Sequence, residues 1–269
     1  NGEVVRWSLT DAGASDPTVQ QVLPPGSYVA SIATDPSGTL LATAQYTGES
    51  TTLNRIGPDG ALTPLATLKT PIPQSISFDS TGKLLQIGLD RGVELWNVKD
   101  PANPVLAATI PTASLAAIST FGNASPVLGI GTDAGEVSVW DVSVPATPRQ
   151  VQVFHEPRSA MYSLAFSPDD HLLVGGGGDE VFWGWDLRRP ADGALFDVSA
   201  HAGRTTDGRF IANGRFFVGV GSDGSVRLWT LDADAARTAI CANRGTPLTA
   251  DEWARYLPGI TPFDPCAGR

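Results

Sequence analysis

Apolar and polar residues alternate over short stretches of this chain, with brief apolar runs among them, and turn residues separate the stretches at regular distances. Residues 221–229 show the unit: a strand end, the turn Ser-Asp-Gly-Ser, and a second stretch, Val-Arg-Leu-Trp. Asp and Gly accept the backbone conformations and local side-chain hydrogen bonds of a tight hairpin turn. Alternation mixed with apolar runs is typical of sheets that neighbours cover on both faces. The pattern therefore predicts many short strands joined in hairpins.

This strand–turn–strand unit recurs with a period in the low forties. Other copies occupy residues 1–7, 88–96, 131–141 and 177–186, and Asn54 stands at the tryptophan position of a degenerate copy. The last four tryptophans of the series lie 44, 45 and 44 residues apart. Such a period is typical of stacked four-stranded sheets, so the sequence predicts an all-β propeller. The recurring residues are the tryptophans Trp7, Trp96, Trp140, Trp185 and Trp229 and the turn aspartates Asp90, Asp133, Asp179 and Asp223.

Two repeats end on a Trp-Asp pair, at residues 140–141 and 185–186, and the stretch 165–169, Ala-Phe-Ser-Pro-Asp, ends a first strand. On these residues the chain resembles the WD-repeat β-propellers, over residues 1–231. The Gly-His pair that usually opens such a repeat is missing, although His155 and His201 stand near its place. The resemblance implies the fold, whereas function must be argued separately because this fold hosts unrelated partners and activities.

The repeats divide residues 1–231 into five recognisable blades and one N-terminal partial blade. Blades one to five cover residues 28–68, 75–110, 115–154, 162–198 and 204–231, and blade five lacks an obvious fourth strand. The first copy begins at the turn before a third strand, so we expect the chain to be a C-terminal portion of a longer protein. Alternatively, residues 3–23 complete the last blade as ring-closing strands.

Residues 232–269 form a tail with a different pattern. Residues 234–243 are rich in helix-forming Ala and Arg, and Thr249-Ala-Asp-Glu252 is a capping box that starts a second helix. We expect Trp253 and Tyr256 to pack this tail against a blade. The tail is also similar to the terminal segment of WD-repeat domains that end large actinobacterial regulatory or nucleotide-hydrolysing proteins.

The two cysteines of the chain, Cys241 and Cys266, both lie in the tail. A disulfide between them would close a loop of about 25 residues and contribute about 3 kcal/mol in the chain-entropy model. A bridge places the domain in an oxidising, extracytoplasmic compartment, and two reduced thiols favour the cytoplasm. Two cysteines without nearby histidine do not fill a zinc site, so no metal or cofactor is predicted.

Charge and composition narrow the range of partners. The formal net charge is -10, and the chain has three lysines, so clustered basic residues for nucleic acid or an anionic membrane surface are not expected. No apolar run approaches the roughly 20 residues that span a bilayer. The expected partner is therefore a protein or a peptide.

Several stretches imitate catalytic or binding motifs without their context. Ser167-Pro-Asp-Asp-His171 has the residue types of a triad, but its sequence is typical of a turn. Residues 175–178 are four glycines with no Lys-Ser/Thr after them, so they are not a phosphate loop. The turn aspartates recur at the structural period, which indicates a requirement of the fold rather than a calcium or acid–base site. No catalytic residue is predicted.

Trp183 departs from the repeat, because the equivalent positions of other copies are mostly polar, and Gly184 follows where Leu or Val is usual. An aromatic side chain at a normally solvated position is a candidate partner anchor. The alternative is that its indole fills the space left by Gly184. Arg158 and Arg204 are expected near the same surface, with Met161 and Arg209 close by.

The sequence thus predicts a non-enzymatic interaction scaffold whose rigid blades present loops to a protein or peptide. One alternative is an extracytoplasmic domain that senses a ligand or peptide for an upstream effector. A less favoured alternative is a propeller hydrolase or lactonase, which needs inward-facing His, Asp and Glu residues from several blades. The chain has three histidines, which argues against that class.

Overall fold

The computed structural model describes residues 4–8, 18–23, 28–46, 49–199, 201–231, 233–243, 248–261 and 266. These residues form 21 strands and two α-helices. In chain order they are β1 (Val4–Ser8), β2 (Thr18–Leu23), β3 (Val29–Thr34), β4 (Leu40–Gln45), β5 (Ser50–Ile56), β6 (Leu62–Lys69), β7 (Ser75–Phe78), β8 (Leu84–Leu89), β9 (Gly92–Asn97), β10 (Val105–Pro111), β11 (Ile118–Phe121), β12 (Val127–Gly131), β13 (Val137–Asp141), β14 (Arg149–Phe154), β15 (Met161–Phe166), β16 (Leu172–Gly177), β17 (Val181–Asp186), β18 (Phe196–Ser199), β19 (Thr205–Ile211), β20 (Phe216–Gly221), β21 (Val226–Thr230), α1 (Ala233–Ala242) and α2 (Ala250–Tyr256).

The strands form antiparallel sheets in simple chain order, which confirms the predicted propeller blades. Blades one to four contain β3–β6, β7–β10, β11–β14 and β15–β18, and blade five contains β19–β21. Strands β1 and β2 pair with each other in a separate two-stranded sheet, the predicted partial blade. Among the described strands, β21 pairs with β20 alone, and β1 and β2 pair with each other rather than with β21.

Short polar turns set the hairpin between the first and second strands of each blade. In blade one, Asp35 accepts hydrogen bonds from the backbone N–H groups of Thr39 (2.8 Å) and Leu40 (2.6 Å). Burial opposes its ionisation, but these bonds and one from the Ser37 side chain together hold the Asp35 pKa below its usual value. Gly38 takes the left-handed φ of 69° that closes the turn.

The first strand of each blade contacts the first strand of the next blade, from β3 through β7, β11 and β15 to β19. The apolar cores lie between neighbouring blades rather than within them. Between blades three and four, for example, Phe154 stacks on the fully buried Trp185 with ring centroids 5.0 Å apart. Each blade therefore needs its neighbours to bury its two faces.

A buried polar cluster joins the first strands of blades two and three. The Gln86 amide donates to the Ser77 hydroxyl (3.0 Å) and to the Ser119 carbonyl oxygen (3.0 Å), and its oxygen accepts from the Ser119 hydroxyl. The hydroxyls of Ser75 and Ser119 lie 2.9 Å apart. The bonds of Gln86 and Ser75 to Ser119 cross the blade boundary, so the cluster fixes the register of the two blades as well as their distance.

A second polar contact joins blades three and four. It lies at the end of the blades opposite the loops that lead into their first strands. Asp170 is buried and accepts from the backbone N–H groups of Asn123 (2.7 Å), Ala124 (2.8 Å) and Ser125 (2.6 Å). Blade three has Gly122 where blade one has its own turn residue, Asp35. The carboxylate that this turn lacks is therefore supplied by the neighbouring blade.

The tail contains two helices and a disulfide, as predicted. Cys241 and Cys266 are bonded, with Cα atoms 5.7 Å apart. Thr249 and Glu252 form the reciprocal capping box at the start of α2. The Trp253 indole N–H donates to the Ile260 carbonyl oxygen (2.8 Å) within the tail, and Tyr256 is 62% exposed. The packing of these two aromatic residues against a blade stays a prediction.

Candidate interaction surface

The candidate site lies at the end of blades four and five where the chain enters each blade. The loop 155–160 precedes β15, the loop 201–204 precedes β19, and the turn 178–180 joins β16 to β17. The Gly178 N–H donates to the Ala160 carbonyl oxygen (3.0 Å), and the buried Thr205 hydroxyl donates to the Gly177 carbonyl oxygen (3.1 Å). These bonds hold the three segments side by side. We name the surface formed by the three segments the loop face.

Arg204 and Tyr162 form an exposed contact on the loop face. The Arg204 guanidinium lies over the Tyr162 ring, 5.5 Å from its centroid, and the tyrosine is 39% exposed. Arg158 is exposed in the neighbouring loop. Sequence reasoning placed both arginines near this surface but missed Tyr162, because nothing in the repeat marks which first-strand residue turns outward.

Other residues expected at this surface have different positions. Met161 is fully buried and packs with Leu164 and Trp185, so it is not available to a partner. Arg209 lies on β19 and pairs with Asp207 at 3.6 Å, away from the loop face. Of the residues expected at this surface, Arg158 and Arg204 are exposed on the loop face, and Tyr162 lies beside Arg204.

Trp183 is half-buried and held from below the loop face. Its indole N–H donates to Asp179 (2.9 Å), the turn aspartate of blade four. It does not fill the space beside Gly184, because the Phe196 ring occupies it: an added Cβ at Gly184 would lie 2.3 Å from that ring. The alternative that the Trp183 indole fills the space left by Gly184 is therefore wrong, because the Phe196 ring fills that space. Its role as a partner anchor stays a prediction.

Trp183 also explains an altered hydrogen bond in blade four. In blades two and three the structural tryptophan donates to the residue two positions before it: Trp96 to Glu94 (2.9 Å) and Trp140 to Ser138 (3.0 Å). Trp183 occupies that position in blade four and cannot accept. The Trp185 N–H instead reaches Glu156 (3.4 Å) in the loop before β15.

All four turn aspartates lie between the second and third strands of their blades, and Asp223 has the fullest set of hydrogen-bond partners. It accepts from the backbone N–H groups of Ser225 (3.0 Å) and Ala202 (3.0 Å) and from the Ser225 hydroxyl (2.8 Å). These bonds, with the nearby His201, hold the Asp223 pKa well below its usual range. Asp223 therefore ties the loop before β19 to the turn after β20.

His201 completes this arrangement. Its Nδ1 lies 2.8 Å from the Ser225 hydroxyl and 3.3 Å from Asp223, and its buried ring meets Phe182 and Trp229 edge-on. His155, in contrast, is exposed and 4.0 Å from Glu136. Blade five is thus where a buried histidine joins a hydrogen-bonded network with Ser225 and Asp223, even though the preceding Gly of the usual pair is missing.

The opposite face contains the residues that imitate a triad. The Ser167 hydroxyl donates to Asp169 (2.6 Å), and that carboxylate also accepts from the His171 backbone N–H (3.1 Å). The Ser167 hydrogen bond is the main reason that the Asp169 pKa is lowered. Arg188 is engaged with Asp186 at 2.9 Å. A cleft of about 370 Å³ lies beside these groups, which serve the turn itself.

Two features are absent from the described part of the chain. It contains no grouping of three or more His, Cys, Asp and Glu side chains arranged to hold a metal ion. None of its helices has the length and apolar character required to cross a bilayer.

Comparison with known proteins agrees with the architecture. The WD domain, G-beta repeat, matches residues 148–186 and 194–230, which lie in blades three to five. The ribosome biogenesis protein YTM1 of Chaetomium thermophilum is 26% identical over 216 residues, 74% of this chain and 38% of that protein. The anaphase-promoting complex subunit cdh1 of Dictyostelium discoideum is 25% identical over 150 residues, 56% of this chain and 19% of that protein.

These matches place WD-type repeats in residues 148–186 and 194–230, and the stacked antiparallel sheets agree with a β-propeller fold. The chain spans about two fifths and one fifth of the lengths of these two relatives. A relationship to the actinobacterial proteins that the tail resembles is not shown.

Proposed function

We propose that the chain is a non-catalytic protein-interaction scaffold, whose loop face binds a protein or peptide partner. The observation that carries this proposal is the exposed Arg204–Tyr162 contact beside Arg158. Arginine and large aromatic side chains contribute most of the binding energy in many protein interfaces. Stacking on Tyr162 orients the Arg204 guanidinium before a partner arrives, which lowers the entropy lost on binding.

The blades make this surface rigid. The loops that form it are bonded to one another through Gly178, Ala160, Thr205 and Gly177, and Asp223 closes the loop before β19. Little conformational change is then needed when a partner binds. The names of the two relatives, a ribosome biogenesis protein and a subunit of the anaphase-promoting complex, are consistent with proteins that work through assembly.

The test is affinity purification of the tagged chain from its native host, followed by mass spectrometry. The loop-face variant Arg158→Glu/Arg204→Glu is compared with wild type and with Lys83→Glu/Lys99→Glu. The control makes the same charge change at exposed positions on the opposite face. Proteins retained by wild type and control but lost from the loop-face variant support the proposal. If all three samples retain the same proteins, the loop face is not the docking surface.

A second candidate function is an extracytoplasmic sensing domain, coupled to an effector elsewhere in a larger regulatory protein. The Cys241–Cys266 disulfide favours it, because such bonds persist in oxidising compartments. Alkylation of native protein before digestion, followed by mass spectrometry without reduction, provides the test. A bridged peptide supports the extracytoplasmic location, and two alkylated cysteines support a cytoplasmic scaffold.

A propeller hydrolase or lactonase has less support, because His201 and Asp223 are engaged in holding blade five together.

A further inference from the structure

The third strand of blade five has an open edge. Blades one to four each have four strands, whereas β21 is the last strand of its sheet among the described residues. The chain leaves β21 at Thr230 and enters α1 at Ala233, and no described strand follows that could pair with β21. The side chains of Val226 and Leu228 on β21 are 67% and 58% exposed.

The backbone of β21 offers hydrogen bonds along this edge. The Leu231 N–H donates to the Arg215 carbonyl oxygen, on the β20 side of the sheet. Because N–H directions alternate along a strand, the N–H groups of residues 226, 228 and 230 point toward the open edge. An unpaired edge of this kind is a template for another extended chain.

An apolar pocket of about 230 Å³ lies beside the same edge, between blades four and five. Phe196 and Val198 of β18 form one side, and Phe217 and Trp229 form the other. The pocket exists partly because Val198 stands where blade three has Phe154, the ring that stacks on Trp185. The smaller side chain leaves the corresponding tryptophan, Trp229, accessible.

The charges near the edge indicate what kind of chain fits. Arg227 lies on β21 and Arg215 lies next to Leu231, and both are exposed. Neither is within 4.0 Å of a described carboxylate, although the chain as a whole has a net charge of -10. Within 201–231 there are four arginines and two aspartates, so blade five is the basic part of an acidic protein.

We infer that β21 binds an extended segment of a protein partner that carries an apolar residue and, two positions after it, an acidic residue. The segment adds as the fourth antiparallel strand of blade five, with an apolar side chain in the pocket over Trp229 and a carboxylate near Arg227. Main-chain hydrogen bonds supply affinity in this mode, and the side-chain pocket supplies specificity. This surface is separate from the loop face and does not depend on the proposed function of that face.

The probe is a fluorescein-labelled octapeptide, Glu-Leu-Thr-Phe-Val-Glu-Val-Glu, measured by fluorescence anisotropy with the full chain. In antiparallel pairing it places Leu opposite Leu231, Phe opposite Trp229 and an acid opposite Arg227. We expect saturable binding. N-methylation of alternate peptide residues that face β21 should weaken it about tenfold or more, because the added strand loses its main-chain hydrogen bonds.

Three protein variants separate the contributions. Val198→Phe fills the pocket as Phe154 does in blade three, and Arg227→Glu reverses the charge; each should weaken binding about tenfold. Leu228→Pro removes an N–H that points to the open edge, and Leu228→Ala is its control with the N–H retained. Lys83→Glu, in the turn between β7 and β8 of blade two, should leave peptide binding unchanged.

Either of two results would overturn the inference on peptide binding. The first is absence of saturable binding to folded wild-type protein. The second is binding that N-methylation of the peptide does not affect, since the pocket would then act without strand addition. Because that comparison uses wild-type protein, it remains decisive even if Leu228→Pro fails to fold. Sedimentation equilibrium tests whether a second copy of the chain occupies the β21 edge. A dimer that Arg227→Glu dissociates would mean that a second copy, rather than a partner segment, binds there.

Discussion

At the scale of single residues, Asp170 stabilises the contact between blades three and four, although it lies in a turn of blade four. Its carboxylate accepts three backbone N–H groups of the neighbouring blade, and it has a left-handed φ of 58°. Asp170→Asn keeps a residue that tolerates this φ but exchanges a charged acceptor for an amide. We expect a loss of about 1.5–3 kcal/mol in the free energy of unfolding, measured by urea denaturation.

Asp207→Asn is the matched control for Asp170→Asn. Asp207 is exposed, and its nearest arginine nitrogen is 3.6 Å away. Its substitution should change stability by about 0.5 kcal/mol or less. Equal effects at the two positions would show that the contact between blades three and four is not limiting for stability.

Asp223 gives stability a dependence on pH. Its backbone and Ser225 hydrogen bonds hold its folded-state pKa below the unfolded-state value of about 3.9. Its contribution is therefore complete above that value and is lost as the pH falls below it. Asp223→Asn should lower the urea midpoint at pH 7 relative to wild type, and the difference should shrink by pH 3. A constant difference at both pH values would contradict this role.

At the scale of elements, Gln86 and Ser119 join the second strand of blade two (β8) to the first strand of blade three (β11). Gln86→Leu removes the two hydrogen bonds that the amide donates and the one that it accepts. It should cost about 1–3 kcal/mol, because the buried Ser119 and the partly buried Ser77 lose partners. Ser119→Ala should cost less in the Gln86→Leu background than in wild type. Urea denaturation of the two single variants and the double variant measures this coupling. Additive losses would mean that the two residues act independently.

The repeat made the strands and hairpins predictable, because turn residues and tryptophans recur in each blade. What it did not reveal is which side chain compensates where a blade departs from the pattern. Asp170 replaces an acceptor that blade three lacks, and Phe196 rather than Trp183 fills the space at Gly184. The first contact joins two neighbouring blades, and the second lies within blade four, between β17 and β18. Gly122 and Gly184, which break the pattern, were the available signals, but a missing side chain does not indicate which neighbour compensates.

At the scale of the whole molecule, the disulfide should stabilise the tail rather than the blades. Helices of 10 and 7 residues are marginal alone in water, and Ile240 and Tyr256 are 69% and 62% exposed. The described tail reaches the propeller where α1 meets the end of β21. Cys241→Ser removes a constraint of about 3 kcal/mol. We expect limited proteolysis to cleave this variant within residues 233–261 while the blades remain intact, and their thermal midpoint to stay unchanged.

The wild-type protein under reducing conditions is the control for this substitution, and it should show the same cleavage without any change of sequence. A lower thermal midpoint of the blades in Cys241→Ser would contradict the expectation. It would mean that the tail transmits its stability to blade five, as the packing of Trp253 and Tyr256 against a blade requires. Because α1 follows β21 after two residues, such coupling would also reach the open edge of that strand. Peptide binding at β21 would then weaken in Cys241→Ser, whereas an independent tail leaves it unchanged.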